Sequence, residues 1–160
     1  MSDRDLEYMR MALDQAVLAQ ALGEVPIGAV LVQDGHIVAQ AHNAREAWQD
    51  PTAHAEVVAI REAAKRLGTW RLTGAVLYVT LEPCAMCVGA MILSRIDHLV
   101  FGAMDPKAGA CGSVFNLLEE PRLNHRVEAV HGVLERESQK LLQSFFKSLR
   151  TSTAHATEEE

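Results

Sequence analysis

The chain has 160 residues, 49% of them apolar and 22% charged, and a formal net charge of −6. That length suits a single domain burying about two-thirds of its unfolded surface, so a core can form without disulfide staples. The acidic balance excludes a uniformly basic surface, the usual footprint of nucleic-acid binding, and leaves room only for a local basic patch.

Leu6, Met9, Leu13, Ala16, Val17 and Ala21 recur at helical spacing and predict an opening amphipathic helix that ends at Gly23. Residues 27–33 read as a strand, Asp34-Gly35 as a two-residue hairpin turn, and 36–41 as the returning strand. A loop is expected over 43–51, with Asp50 or Thr52 capping a helix over 53–67. A short apolar strand follows at 75–80, then Pro83 pre-sets the first turn of a helix over 84–93. Residues 98–101 form another buried strand. The segment 102–124 is irregular, with one helical turn near 115–118. A last strand over 126–130 and a closing helix over 134–149 complete the pattern. Strands alternating with helices imply an α/β sandwich with helices on both faces of a sheet. Residues 1–150 thus read as one domain, and 151–160, with no apolar pattern, as a disordered tail.

Glu158, Glu159 and Glu160 supply three of the negative charges, so the remaining −3 is still acidic. Apolar stretches such as 25–32 are too short to span a bilayer, and the charged start Met1-Ser2-Asp3-Arg4-Asp5 precedes no secretory core. Three cysteines, two of them in one C-x-x-C, argue against a disulfide framework and for a reducing compartment. Cytoplasmic localisation and no membrane partner are the expectation.

His54-Ala55-Glu56 and Pro83-Cys84-Ala85-Met86-Cys87 carry most of the chemical information. Together they spell H-x-E followed by P-C-x-x-C, the pattern of zinc-dependent nucleobase deaminases. A catalytic zinc takes three protein ligands and leaves one position open; His54, Cys84 and Cys87 are such a set. Cys84 and Cys87 lie three apart at a helix start, so they share a face, and the free amides and positive dipole end favour thiolates. Glu56 need not touch the metal, and its task is to take a proton from water and hand it to a leaving amine. Taken alone, H-x-E occurs by chance in many helices, and C-x-x-C after a strand also fits a thioredoxin-like redox pair. A redox pair leaves His54 and Glu56 unexplained, and a closed structural zinc site lacks a fourth ligand. Cys111 reads as a small loop filler.

The stretch Thr80-Leu81-Glu82-Pro83-Cys84-Ala85-Met86-Cys87-Val88-Gly89-Ala90-Met91, with Asp50-Pro51-Thr52-Ala53-His54-Ala55-Glu56 before it, resembles the bacterial tRNA-specific adenosine deaminases. The likeness extends through Val25-Pro26-Ile27-Gly28-Ala29-Val30, His42-Asn43, residues 101–110, Gly112-Ser113 and Asn124-His125-Arg126, and so covers roughly 5–149. It implies a cytidine-deaminase-like fold, a three-layer α/β/α sandwich around a five-stranded mixed sheet, and a homodimer. It implies one Zn2+ per subunit on His54, Cys84 and Cys87, Glu56 as proton shuttle, and conversion of the wobble adenosine of a tRNA anticodon stem-loop to inosine.

By the same resemblance Asn43 hydrogen-bonds the flipped base, and an amide suits a purine edge because it both donates and accepts. Asp105 and Lys107 meet neighbouring nucleotides, Lys107 on a phosphate and Asp105 on a ribose 2′-OH; a loop-capping role for Asp105 is the alternative. Asn124 contacts the anticodon loop, while His125 is equally read as packed structure. The closing helix keeps only Lys147 and Arg150 of the family's basic end. Deamination of a free base or nucleoside, of guanine or cytosine type, is the competing reading, and the acidic balance favours it. Trp48 is a candidate base-stacking residue. Glu82 either orients the cysteine helix or favours its positive end.

Overall fold

The computed structural model describes residues 2–158. Helix α1 spans Asp3–Ala21 and opens on a capping box, in which Ser2 Oγ accepts from the Asp5 amide and the Asp5 carboxylate accepts from the Ser2 amide, each at 3.1 Å. Its buried stripe is Met9, Ala12, Ala16 and Ala19, not the larger set expected: Val17 is 50% exposed. A helix lying close on a sheet selects alanine on the contact face, so size, not hydropathy, marks that stripe.

Strands β1 (Gly28–Gln33) and β2 (His36–His42) form the expected hairpin, and Asp34 and Gly35 both take positive φ, +51° and +74°, as such a turn requires. The expected loop over 43–51 contains a short helix, α2 (Arg45–Trp48). Helix α3 (Ala55–Leu67) starts two residues later than expected and is capped by His54. Asp50 instead holds a turn, accepting from the Thr52 amide and hydroxyl at 2.8 Å each.

Strand β3 is Val76–Leu81, and α4 is Ala85–Leu93 with Cys84 as its cap; Pro83 lies just outside the helix and not in its first turn. Strand β4 (His98–Ala103), a single 3-10 turn at Leu117–Glu119 and strand β5 (Glu128–Val130) follow. Helix α5 runs Glu135–Glu158, past the expected end at 149. The expected tail is therefore helical to Glu158. Thr151 and Thr153 turn their hydroxyls back onto the carbonyls of Lys147 and Leu149 at 3.0 and 2.9 Å, which keeps them compatible with the helix. Residues 159–160 of that tail lie outside the described residues.

The sheet order is β2-β1-β3-β4-β5, with β1 antiparallel to β2 and β3, and β3–β4 and β4–β5 parallel. Alternation along the strands sorts two cores. Ala29, Leu31, Leu77, Val79, Leu99 and Phe101 pack against α3 and α4, with Ala59, Ala63, Val88 and Met91. Val30, Val32, Tyr78 and Val100 face α1 with Met9 and Ala12, and Val133 beside α5. The result is the three-layer α/β/α sandwich with a five-stranded mixed sheet. Among the described residues no helix is long and apolar enough to cross a membrane.

Candidate metal centre and active-site cavity

Two helices start at one point. His54 and Cys84 are the N-cap residues of α3 and α4, both with extended backbone, and neither makes a side-chain cap bond to its helix. Cys87 sits one turn into α4 and is fully buried. The His54 Nδ1 atom lies 3.6 Å from each sulfur, and the two sulfurs are 3.7 Å apart. These three are the group of His, Cys, Asp and Glu side chains that could hold a metal ion among the described residues. The polar contact with Cys87, together with His54, draws the Cys84 thiol down to about 3, although burial opposes it. The same sulfur contact, with burial, pushes Cys87 up. Contact with Cys84 raises His54 against the opposing effect of its burial. Two sulfurs and an imidazole nitrogen are a donor set that suits a zinc-like cation.

Glu56, in the first turn of α3, is 4% exposed. Burial pushes its carboxyl pKa up, with the Cys87 contact and its own amide working the other way. Burial of this kind favours the protonated form, so this carboxyl holds a proton more readily than an exposed glutamate does. The cavity in front of these groups has a volume of about 400 Å³ and is lined by Asn43, His54, Glu56, Cys84, Asp105 and Lys107, among others. Asn43 is 4% exposed, and among the described residues its Oδ1, at the cavity wall, has no hydrogen-bond partner.

Asp105 Oδ1 accepts from the amides of Lys107 and Ala108, at 3.0 and 3.4 Å, so the loop-capping role is real, and Oδ2 makes no hydrogen bond among the described residues. Asn124 is exposed in the turn before β5 and does not line the cavity of its own chain. His125 is packed structure, its Nε2 lying 2.7 Å from the Ile96 carbonyl. Cys111 lies apart from the cation group; burial pushes its thiol up to about 12. Trp48 is 57% exposed and lines a different groove with Trp70, away from the cavity.

Several residues were missed by the sequence reading. Arg45 on α2 and Leu142 and Phe146 on α5 also line the cavity. The i, i+4 spacing of Leu142 and Phe146 was a usable signal. Arg45 offered none, because its position depends on α2, and α2 is capped from elsewhere in the chain. Glu82 was seen but its role was not. It is 2% exposed, and its carboxylate accepts from the amides of Asp105 (2.9 Å), Cys111 (3.0 Å) and Ser113 (3.1 Å) and from the Ser113 hydroxyl. Burial alone would raise its pKa, but these bonds outweigh it and hold the carboxyl below the ordinary glutamate value.

A sheet sandwich that aims two helix starts at one His, two Cys and a buried Glu defines the class of the metal-dependent nucleobase deaminases. Comparison with known proteins narrows the class. The MafB19-like deaminase family model matches residues 3–150. A tRNA-specific adenosine deaminase of Bacillus subtilis is 57% identical over 147 residues, 92% of this chain and 91% of that protein. A structure from studies of A-to-I editing by tRNA:A34 deaminases at the wobble position of transfer RNA is 46% identical, with a TM-score of 0.83 over 85% of this chain and 99% of that one. A guanine deaminase structure from Bacillus subtilis is 30% identical, with a TM-score of 0.63 over 94% of this chain and 95% of that one. The chain belongs to the tRNA-specific adenosine deaminase family.

Proposed function

We propose that the protein deaminates the wobble adenosine of a tRNA anticodon stem-loop to inosine, with zinc as its cofactor. Likeness to a 57% identical tRNA-specific adenosine deaminase supports the substrate, and the distances at the two helix caps support the metal. Bonds of about 2.3 Å to sulfur and about 2.0–2.1 Å to nitrogen, at tetrahedral angles, separate two sulfurs by about 3.8 Å and sulfur from nitrogen by about 3.6 Å. The 3.7 and 3.6 Å separations found here fit such an ion without rearrangement.

His54, Cys84 and Cys87 would hold one Zn2+ per subunit. When bound, that ion would supply Lewis acidity that lowers the pKa of a water from 15.7 toward about 7. Glu56 takes the proton of the attacking water as its oxygen bonds to C6 of the adenine. It then delivers a proton to the amine as the C6–N6 bond breaks, so that ammonia leaves and inosine remains. Asn43 Oδ1 accepts from the base edge and fixes its angle to the attack.

Lys107 meets a flanking phosphate and Asp105, through Oδ2, a ribose hydroxyl, which favours RNA. Lys107 and Arg45, both lining the cavity, are the local cations that an otherwise acidic chain offers a polyanionic substrate. Residues 1–150 make up the deaminase domain. The protein works in the cytoplasm as a homodimer. Leu93, 72% exposed at the end of α4, together with exposed Val114 and Phe115, gives a second copy apolar side chains to cover.

Incubation with an anticodon stem-loop bearing a wobble adenosine, and separately with guanine, cytosine and their nucleosides, tests the reading. Inosine formed in the stem-loop alone is expected. Ammonia released only from the small compounds would replace the proposal with free-base or nucleoside deamination.

A further inference from the structure

We infer that Glu82 is a positioning residue: its buried carboxylate sets the distance between the metal-binding helix start and the cavity wall that carries Asp105 and Lys107. The inference rests on the deaminase reading of the site. Glu82 stands two residues before Cys84, and its own amide donates to the Ala103 carbonyl at 2.8 Å. From there its side chain reaches one loop only. Oε1 takes the Asp105 amide and the Ser113 hydroxyl, and Oε2 takes the Cys111 and Ser113 amides. All four donors are neutral, and among the described residues no cation pairs with this carboxylate. A buried charge satisfied by neutral donors from a single loop is spent on that loop's shape.

The backbone repeats the weld. The Ala110 amide donates to the Pro83 carbonyl at 2.9 Å, and Cys84 bridges to Gly109. A Cβ at Gly109 would fall on the Glu82 carboxyl itself, so the loop approaches as closely as glycine allows. On the far side of the same loop Asp105 Oδ1 caps the turn that presents Lys107. Loosening Glu82 therefore moves the substrate wall while leaving His54, Glu56 and Cys87, which sit on α3 and α4, in place.

Glu82→Gln puts an amide NH2 against backbone donors, and Ser113→Ala deletes the hydroxyl that donates to Oε1. In Glu82→Gln, KM for whichever substrate the wild type deaminates is expected to rise about tenfold, with kcat changed much less. In Ser113→Ala, KM is expected to rise about threefold. Zinc remains near one per chain in both, and hydrogen exchange quickens at the amides of 105–113 but not in α3 or α4. If Glu82→Gln does not fold, Ser113→Ala decides by the same measurements. KM within twofold of wild type in a folded, zinc-loaded variant overturns the inference, as does a fall in kcat with KM unchanged. Should the wild type act on guanine and not on the stem-loop, the proposed substrate falls, and the ratio is read with guanine instead.

Discussion

His54 and Cys84 hold the same position in two different helices. Each is an N-cap, and their ligand atoms meet at 3.6 Å. An N-cap side chain ordinarily turns inward to the first free amides. Here neither makes a cap bond, and their ligand atoms meet each other and the Cys87 sulfur instead, so two helix starts each forgo a cap where one cation could sit. Cys84→Ser separates the two roles. Serine is a poor zinc ligand and a good cap, so zinc per chain should fall well below one. The metal-free form should be no less stable than metal-free wild type, and up to about 1 kcal/mol more stable if serine caps α4. Metal analysis with thermal unfolding in chelator and in zinc measures both; equal zinc content in variant and wild type would remove Cys84 from the ligand set.

Glu56 is enclosed and its pKa is raised chiefly by burial, but metal retention does not require its side chain. Glu56→Gln keeps the shape and removes the proton carrier. Turnover should fall by about 10²–10⁴-fold while zinc stays bound. Single-turnover inosine formation, measured with metal content on the same sample, checks this. Undiminished turnover would exclude the shuttle.

The grouping of His54, Cys84 and Cys87, the place of Glu56 in the first turn after His54, and the sheet sandwich were legible in the sequence because short patterns report them. H-x-E and P-C-x-x-C fix their spacing within one turn, and Asp34-Gly35 fixes a hairpin within four residues. What the sequence concealed depends on partners far along the chain. The caps were assigned to Asp50 or Thr52 because those residue types cap best, whereas His54 takes the place, and Asp50 is used in a turn. For Glu82 the sequence leaves two roles open, orienting the cysteine helix or favouring its positive end, and does not reveal the loop it holds. Its donors lie 23 to 31 residues away, a distance that no short pattern reports. Helix α2 was hidden for the same reason, as Ala44 before it has no side chain to cap with.

The missing cap comes from Glu24. This carboxylate is 1% exposed and accepts from the Ala47 amide at 2.6 Å and the Glu46 amide at 3.3 Å. A four-residue helix has little stability of its own, so α2, and with it Arg45 at the cavity wall, depends on a residue 22 positions earlier. Glu24→Ala should cost about 1.5–3 kcal/mol of folding stability, the range for hydrogen bonds to a charged group. It should also raise KM more than it lowers kcat. Urea unfolding and steady-state kinetics provide both values; a change under about 0.5 kcal/mol would show that water replaces the carboxylate at no loss.

Tyr78 ties the sheet to α1 and gives the fold an alkaline limit. Its hydroxyl donates to Asp5 Oδ1 at 3.0 Å, while Asp5 Oδ2 accepts from the Ser2 amide. Burial first, then the Asp5 carboxylate, raises the phenol pKa, with Tyr8 adding to the rise and Arg4 opposing it. A pKa higher in the folded than in the unfolded chain means that the folded chain holds the proton more tightly. The resulting stabilisation is complete below the unfolded value of about 10 and is lost as pH rises from there through the folded value. Tyr78→Phe removes the bond and the titration together. At pH 8 it should be less stable by about 1–2 kcal/mol. Above pH 10 wild type should lose stability faster than the variant, so that the two unfolding curves converge. A gap that stays constant or widens between pH 8 and pH 11 in denaturant titrations would show that the Tyr78–Asp5 bond does not couple α1 docking to that proton.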